Sequence, residues 1–303
     1  MSDIKDTIPR GSKILVTGAN GFIGSHVVDL LLSLGYLVRG SIREPKPWLN
    51  ELFDRKYGKG KFETCIVSDL TNGLEWEGAV KEIAGIIHVA ADLSMNPDPN
   101  ITILHAIKAT VNLLKAASQQ AAIKRFVLTS SSTAAYLPKP NEEGIVLTTG
   151  TWVKENDPPF VLNTVLPGIT FGKILAPEIR GSTQSLVGNI LKGDGAALEF
   201  LPPQWYVDVT DAARLHIIAL LSPSVNFERI FAFAATHNWT EIIRILRKLR
   251  PGNLLIPPEP ENEARDLSDV VPSRRAEQLL KSYFNRSGWV SLEETIADGI
   301  SAV

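Results

Sequence analysis

KILVTGANGFIG, residues 13–24, decides the fold. KILVTGA (13–19) is a short β-branched run ending in small residues and reads as a buried strand. FIGSHVVDLLLSLG (22–35) has helical spacing and a glycine stop. Between them Gly18, Gly21 and Gly24 stand at the spacing G-x-x-G-x-x-G. Gly18 permits a tight turn, Gly21 lets the backbone approach a pyrophosphate, and Gly24 lets the helix pack on the strand. The start of the helix adds unpaired N–H groups and the positive end of its dipole. Asn20, Phe22 and Ile23, interleaved with these glycines, belong to the same candidate phosphate site. The plain alternative is a tight turn that holds nothing, but the strand–turn–helix context favours the phosphate site.

Working outward, YLVRGSIR (36–43), FETCIVSD (62–69), GIIHVAA (85–91), RFVLTSSS (125–132) and FVLNTVLPG (160–168) are further strand candidates. ITILHAIKATVNLLKAASQQ (101–120) is a long helix without Gly or Pro. Strands alternating with helices predict an α/β fold with a parallel sheet covered on both faces. Beyond residue 168 the regularity loosens. Helices are expected near 182–192, 211–221, 239–250 and 273–283, strands near 205–209 and 229–235, and a surface loop at LLIPPEPENE (254–263).

The second strand usually ends in an acid that holds the adenine ribose hydroxyls. Here it ends in Ser41-Ile42-Arg43, with Lys46 close behind between Pro45 and Pro47. A guanidinium suits a 2′-phosphate and offers nothing to a ribose diol. The expected cofactor is therefore NADP(H), the alternative being that Arg43 is a solvated surface charge. Asp69, at the end of the third strand with Leu70 beside it, is placed to accept from the adenine amino group or, equally, to cap the next turn.

Bulk properties set the remaining bounds. The 303 residues allow one large α/β domain or two joined ones. A formal net charge of −2 gives no reason to expect nucleic acid or an anionic membrane as partner. Cys65 is the one cysteine, which excludes an intrachain disulfide and suggests a reducing, cytoplasmic setting. No apolar stretch is long enough to span a bilayer. The five histidines are scattered without metal spacing, and His88, inside an apolar strand, reads as a satisfied core residue.

These stretches together resemble the extended short-chain dehydrogenase/reductases, within the NAD(P)-dependent epimerase/dehydratase family, in the branch of dihydroflavonol reductases, cinnamoyl-CoA reductases and fungal aldehyde or ketone reductases. The motifs that carry the resemblance run nearly end to end: VTGANGFIG, VRGSIR, VSDL, IIHVAA, FVLTSSSTAAY, FVLNTVLPG-x-x-FGKIL and WYVDVTDAARLH. The resemblance implies a Rossmann doubly wound parallel sheet over residues 1–167, with 206–236 returning to it. It implies a smaller, mostly C-terminal substrate domain from 168–205 and 237–303. It also implies NADPH-dependent reduction of a small-molecule carbonyl substrate. By motif, Val89, Ala90 and Ala91 would line the nicotinamide ribose side, and Thr129 would end the fifth strand beside the nicotinamide. Pro167, Gly168, Ile169 and Thr170 would meet the carboxamide, and Ser182 the diphosphate. Ser131, flanked by Ser130 and Ser132, takes the place of the catalytic serine; strand-end capping is the structural alternative.

Carbonyl reduction needs a hydride at carbon and a proton at oxygen. The family supplies the proton from a tyrosine whose acidity is raised by a lysine four residues on, the motif Y-x-x-x-K on the helix after the serine strand. Only Tyr57 has a lysine four later, Lys61, in YGKGK, far from the serine strand and with two glycines between. Between Ser131 and Pro167 the only tyrosine is Tyr136, and no lysine stands four on. That crossover is broken by Pro138, Pro140, Gly144, Gly150, Pro158 and Pro159, where a helix is usual. In relatives of this branch a VKEN-like helix end leads into PPFVLNTVLP; here Trp152 to Asn156 follow a loop-like TTGT directly. The chain reads as a reductase by descent with its Y-x-x-x-K segment removed. Its activity is expected to be impaired, its exposed apolar surface enlarged, and a family-type homodimer doubtful. A catalytically silent NADP(H)-binding protein and a shortened form of an active reductase are the alternatives.

Overall fold

The computed structural model describes residues 6–92, 96, 98–149 and 159–301. Gly150 to Asn156, at the junction singled out above, lie outside the described residues. In chain order the elements begin with β1 (Lys13–Thr17), α1 (Phe22–Ser33), β2 (Leu37–Ile42), α2 (Pro47–Tyr57), β3 (Phe62–Ile66), α3 (Gly73–Ala79) and β4 (Gly85–His88). They continue with α4 (Pro99–Ser118), β5 (Arg125–Thr129), β6 (Val146–Leu147), β7 (Val161–Pro167) and β8 (Ile169–Phe171). Then come α5 (Gln184–Leu191), α6 (Ala196–Phe200), β9 (Gln204–Asp208), α7 (Val209–Leu221), β10 (Arg229–Ala232) and β11 (Ala235–His237). The last are α8 (Trp239–Leu249), β12 (Asp269–Val270), α9 (Ser273–Phe284) and α10 (Leu292–Gly299).

Seven of these strands form one parallel sheet in the order β10-β7-β5-β4-β1-β2-β3. The order reverses between β1 and β4, which makes their carboxyl ends the switch point where such sheets bind ligands. The central strands are unbroken apolar runs because both faces are covered. On one face Val27, Val28 and Leu31 of α1 pack with Leu215, Ile218 and Leu220 of α7 and Leu279 and Leu280 of α9. On the other, Trp76 of α3 and Leu113 and Ala117 of α4 pack against Leu15, Ile86 and Phe126 of the sheet. A separate cluster, with Phe171, Val187, Ile190, Trp239, Ile242, Leu246 and Ile296, forms the core of a second lobe around a three-stranded sheet ordered β11-β9-β8.

β5 and β7 pair in register from Arg125 opposite Val161 to Thr129 opposite Val165. Among the described residues no α-helix lies between them, only a 3₁₀ turn at Ser132–Ala134 and the two-residue β6, which pairs with β12. Helix α4 carries exposed apolar residues on one side. Ile103 is 55% exposed, Leu104 50%, Ile107 53% and Val111 37%. Positions 103, 107 and 111 follow one another at four-residue steps and so form one stripe of the helix.

Candidate functional site

The site is built by the turns that leave β1, β2, β4, β5 and β7 at the carboxyl edge of the sheet. After β1, Gly18 takes a left-handed φ of 67° and its N–H donates to Ser41 O at the end of β2, 3.1 Å away. A Cβ on Gly18 would stand 3.1 Å from Ala90 Cα, so the β1 and β4 turns touch across the switch point. A Cβ on Gly24 would lie 2.1 Å from Gly18 O, which is how closely α1 is seated on the loop. Beside Gly21 the same construction meets only Gly18 O within 4 Å, so space opens above this residue. Gly21 is the N-cap of α1; no side chain caps that end and no acid stands in its first turn. The Phe22 side chain is buried, so what Phe22 and Ile23 offer the opening is their backbone N–H groups. Asn20 is half-buried on the rim. Such an uncapped helix start can serve as a cradle for an anion.

Arg43 is exposed just past β2, and Lys46 follows as the N-cap of α2 with its ammonium 2.8 Å from Glu44. Of the two cations, Lys46 is engaged with a neighbouring carboxylate. Asp69 Oδ1 accepts from both the N–H and the hydroxyl of Thr71, each at 2.8 Å. This is the turn-capping role; those bonds hold the Asp69 carboxyl below its ordinary range. The Leu70 carbonyl accepts from Trp76 Nε1 at 2.8 Å, and its side chain packs on the α3–α4 core.

At the end of β4, Val89 and Ala90 are half-buried and Ala91 is exposed. Their position is fixed by Thr17, whose hydroxyl oxygen accepts from Val89 N–H at 3.0 Å and Ala90 N–H at 2.9 Å. Thr17 in turn meets His88 Nδ1 at 2.8 Å. At the end of β5, Thr129 meets His216 Nε2 of α7 at 2.8 Å. Ser131 caps the 3₁₀ turn: its oxygen accepts from Thr133 N–H at 3.2 Å and shares a 2.8 Å bond with the Thr133 hydroxyl. After β7, Gly168 N–H donates to Ala232 O at 3.0 Å, and a Cβ there would stand 2.5 Å from Trp205 O. Thr170 is buried and donates to Gly168 O, while Ile169 turns into the core of the second lobe. Ser182 is exposed, with a left-handed φ of 49°, just before α5.

Thus the loops bearing Gly18 to Gly24, Arg43, Val89 to Ala91, Thr129 to Ser131 and Pro167 to Thr170 all leave the same edge of one sheet. Sequence reasoning missed Thr17 and His216. Thr17 ends β1 inside the quoted stretch, and its alignment with His88 in the β1–β4 ladder was the available signal. His216 lies 87 residues from its partner and no local pattern marks it.

The one tyrosine with a lysine four residues on, Tyr57, and the crossover tyrosine, Tyr136, both have other partners. Tyr57 ends α2, and its hydroxyl donates to Asp29. Gly58 terminates that helix, so Lys61 does not follow on the same helical face. Tyr136 accepts from Lys139 N–H at 2.8 Å, while the Lys139 ammonium pairs with Glu142 at 3.3 Å. Burial, with Asp266 nearby, pushes the Tyr136 phenol up rather than down. Cys65 is part-buried, its thiol pushed up to about 11 by burial. Among the described residues no group of three or more His, Cys, Asp or Glu is placed to hold a metal ion, and no helix is long and apolar enough to cross a membrane.

Residues 14–152 match the NAD dependent epimerase/dehydratase family. The chain is 43% identical to Ketoreductase adrE of Penicillium rubens over 328 aligned positions, covering 97% of both proteins. It is 36% identical to Aldehyde reductase 2 of Sporidiobolus salmonicolor, covering 96% of each. In fold it is similar to the yeast methylglyoxal/isovaleraldehyde reductase Gre2 complexed with NADPH, with a TM-score of 0.78, 22% identity, and coverage of 95% of this chain and 97% of that one. With relatives matched from end to end and the glycine loop and the reversing strand order in place, the chain belongs to the NAD dependent epimerase/dehydratase family, beside its ketoreductases and aldehyde reductases.

Proposed function

We propose that this protein is an NADP(H)-binding oxidoreductase of the ketone and aldehyde reductase type in which carbonyl reduction is impaired. The cradle fits a dinucleotide: open space above Gly21, an uncapped helix start for the pyrophosphate, and the exposed Arg43 guanidinium at the end of β2 for a 2′-phosphate. The reduced cofactor, when bound, supplies the hydride. Val89 to Ala91, Thr129 and Pro167 to Thr170 orient its nicotinamide end, and the Ser131 hydroxyl holds the substrate oxygen. The substrate is a small carbonyl compound, and with one cysteine in the chain we place the protein in a reducing cytoplasm.

The observation that carries the impairment is the crossover from β5 to β7. Its described tyrosine has a raised pKa, and its described lysine ammonium is paired with a carboxylate instead of standing beside the phenol. Removing a general acid typically costs about 10²–10⁴ in rate. The test is a pair of measurements: dissociation constants for NADPH and NADH, then single-turnover reduction of an aromatic ketone. Tight NADPH binding with slow chemistry is expected. Reduction at the rate of ordinary reductases, about 1–10³ s⁻¹, would sink the reading.

A second reading is a shortened form of an active reductase, and the alignment lengths favour it. The relatives align over 328, 331 and 341 positions, more than the 303 residues of this chain, so each carries residues with no counterpart here. Sequencing the transcript across Thr149 to Asp157 tests it; an uninterrupted genomic frame with no skipped exon counts against it.

A further inference from the structure

Two threonines end strands at the carboxyl edge of the sheet, and each meets a buried histidine. In the first pair Thr17 accepts N–H bonds from both Val89 and Ala90, which uses both lone pairs of its oxygen. Its own proton must therefore go to His88 Nδ1. In the second pair the logic runs from the other end. His216 Nδ1 stands 2.7 Å from Ala212 O, a carbonyl that can only accept, so Nδ1 carries the ring proton. His216 is wholly enclosed, which keeps the imidazole neutral and leaves Nε2 bare. The Thr129 hydroxyl must donate to it. Both of its lone pairs then remain, on a side chain whose χ1 is stiff because it is β-branched. Thr129 is half-buried where His216 is fully so, and it stands at the end of β5.

We propose that His216 is a positioning residue: by taking the Thr129 proton it fixes that oxygen as an acceptor toward the nicotinamide end of the cleft, where it binds a hydrogen-bond donor of the dinucleotide. The inference rests on the cofactor reading given above. It assigns the histidine of WYVDVTDAARLH a role in recognition as well as in packing.

The test compares NADPH with adenosine 2′,5′-bisphosphate, which keeps the adenine end and lacks the nicotinamide riboside. Both are titrated calorimetrically into the wild type, Thr129→Val, Thr129→Ser, His216→Leu and the double variant Thr129→Val/His216→Leu. Thr129→Val and His216→Leu are each expected to weaken NADPH about tenfold, the size of one lost hydrogen bond. The double variant should bind no worse than either single one, Thr129→Ser should bind as the wild type does, and the bisphosphate should bind all five alike. Wild-type NADPH affinity in Thr129→Val overturns the inference, as do additive losses or equal weakening of both ligands. If His216→Leu does not fold, the contrast between Thr129→Val and Thr129→Ser decides alone. Failure of the wild type to bind either nucleotide overturns the cofactor reading, and this inference with it.

Discussion

Acidification should unfold this protein in a window set by its histidines. Burial pushes His88, His216 and His237 each down to about 4, and none of the three is more than 3% exposed. In the unfolded chain a histidine titrates near 6.5. The folded values lie below the unfolded one, so the unfolded chain holds the extra protons between these limits. Stability is then complete above about pH 6.5 and is lost as pH falls toward about 4. The linkage relation gives about 2 kcal/mol lost per histidine by pH 5, and about 6 kcal/mol for three. His26, also lowered mainly by burial, acts in the same direction. A loss of that size is comparable to the whole stability of many domains, about 5–15 kcal/mol. Urea unfolding at steps from pH 7.5 to 4.5 measures it, with the slope of free energy against pH as the readout. His237→Phe should remove about a third of that slope, whatever it does to the absolute level: His237 Nε2 has no partner, and the ring packs edge-on to Phe171, Tyr206 and Trp239. A stability that stays flat from pH 6.5 to 5 refutes the reasoning, as does an unchanged slope in the variant. The depressed carboxylates, such as Glu63 bonded to Lys13 and Arg39, lose their contribution only at lower pH.

Arg43→Ala should weaken NADPH by about 10–100-fold, the value of one or two charge-assisted hydrogen bonds, and leave NADH unchanged; equal loss for both would place the guanidinium elsewhere. Gly24→Ala puts a Cβ 2.1 Å from Gly18 O, and should cost more than about 3 kcal/mol in urea stability together with cofactor binding. A variant of wild-type stability would mean that α1 can lift off the loop freely. Ile103→Lys with Ile107→Glu, on the bare stripe of α4, should raise solubility without lowering the thermal midpoint. The unaltered protein should sediment as a monomer at micromolar concentration, and a stable compact dimer would contradict this.

The first half of the fold was legible because parallel strands buried on both faces are apolar runs that no surface requirement interrupts. KILVT, GIIH and RFVLT are of that kind, and a glycine triplet after the first of them has few other uses. Helix α2 escaped notice because PWLNELFDRKY buries only Leu49 and Phe53, two anchors on one turn, too few to set a period. Helix α10 did carry its signal, a reciprocal cap between Ser291 and Glu294, but with only eight residues it lacks a convincing stripe. In the site, the glycines declare themselves through spacing, whereas the Thr129–His216 bond exists only once β5 and α7 are packed. Ser131 was singled out by motif; in the structure it caps a turn, and nothing local distinguishes a serine that only caps from one that caps and also meets substrate.

The register of β5 against β7 has a consequence for how such a chain changes over time. Five residue pairs hold these strands together, and none depends on what spans the gap between them. Closing that gap grows costlier only slowly with length, about 0.6 kcal/mol for each doubling. The crossover can therefore vary in length at little direct cost to the pairing of β5 with β7, so the sheet and the segment that spans it are free to change separately.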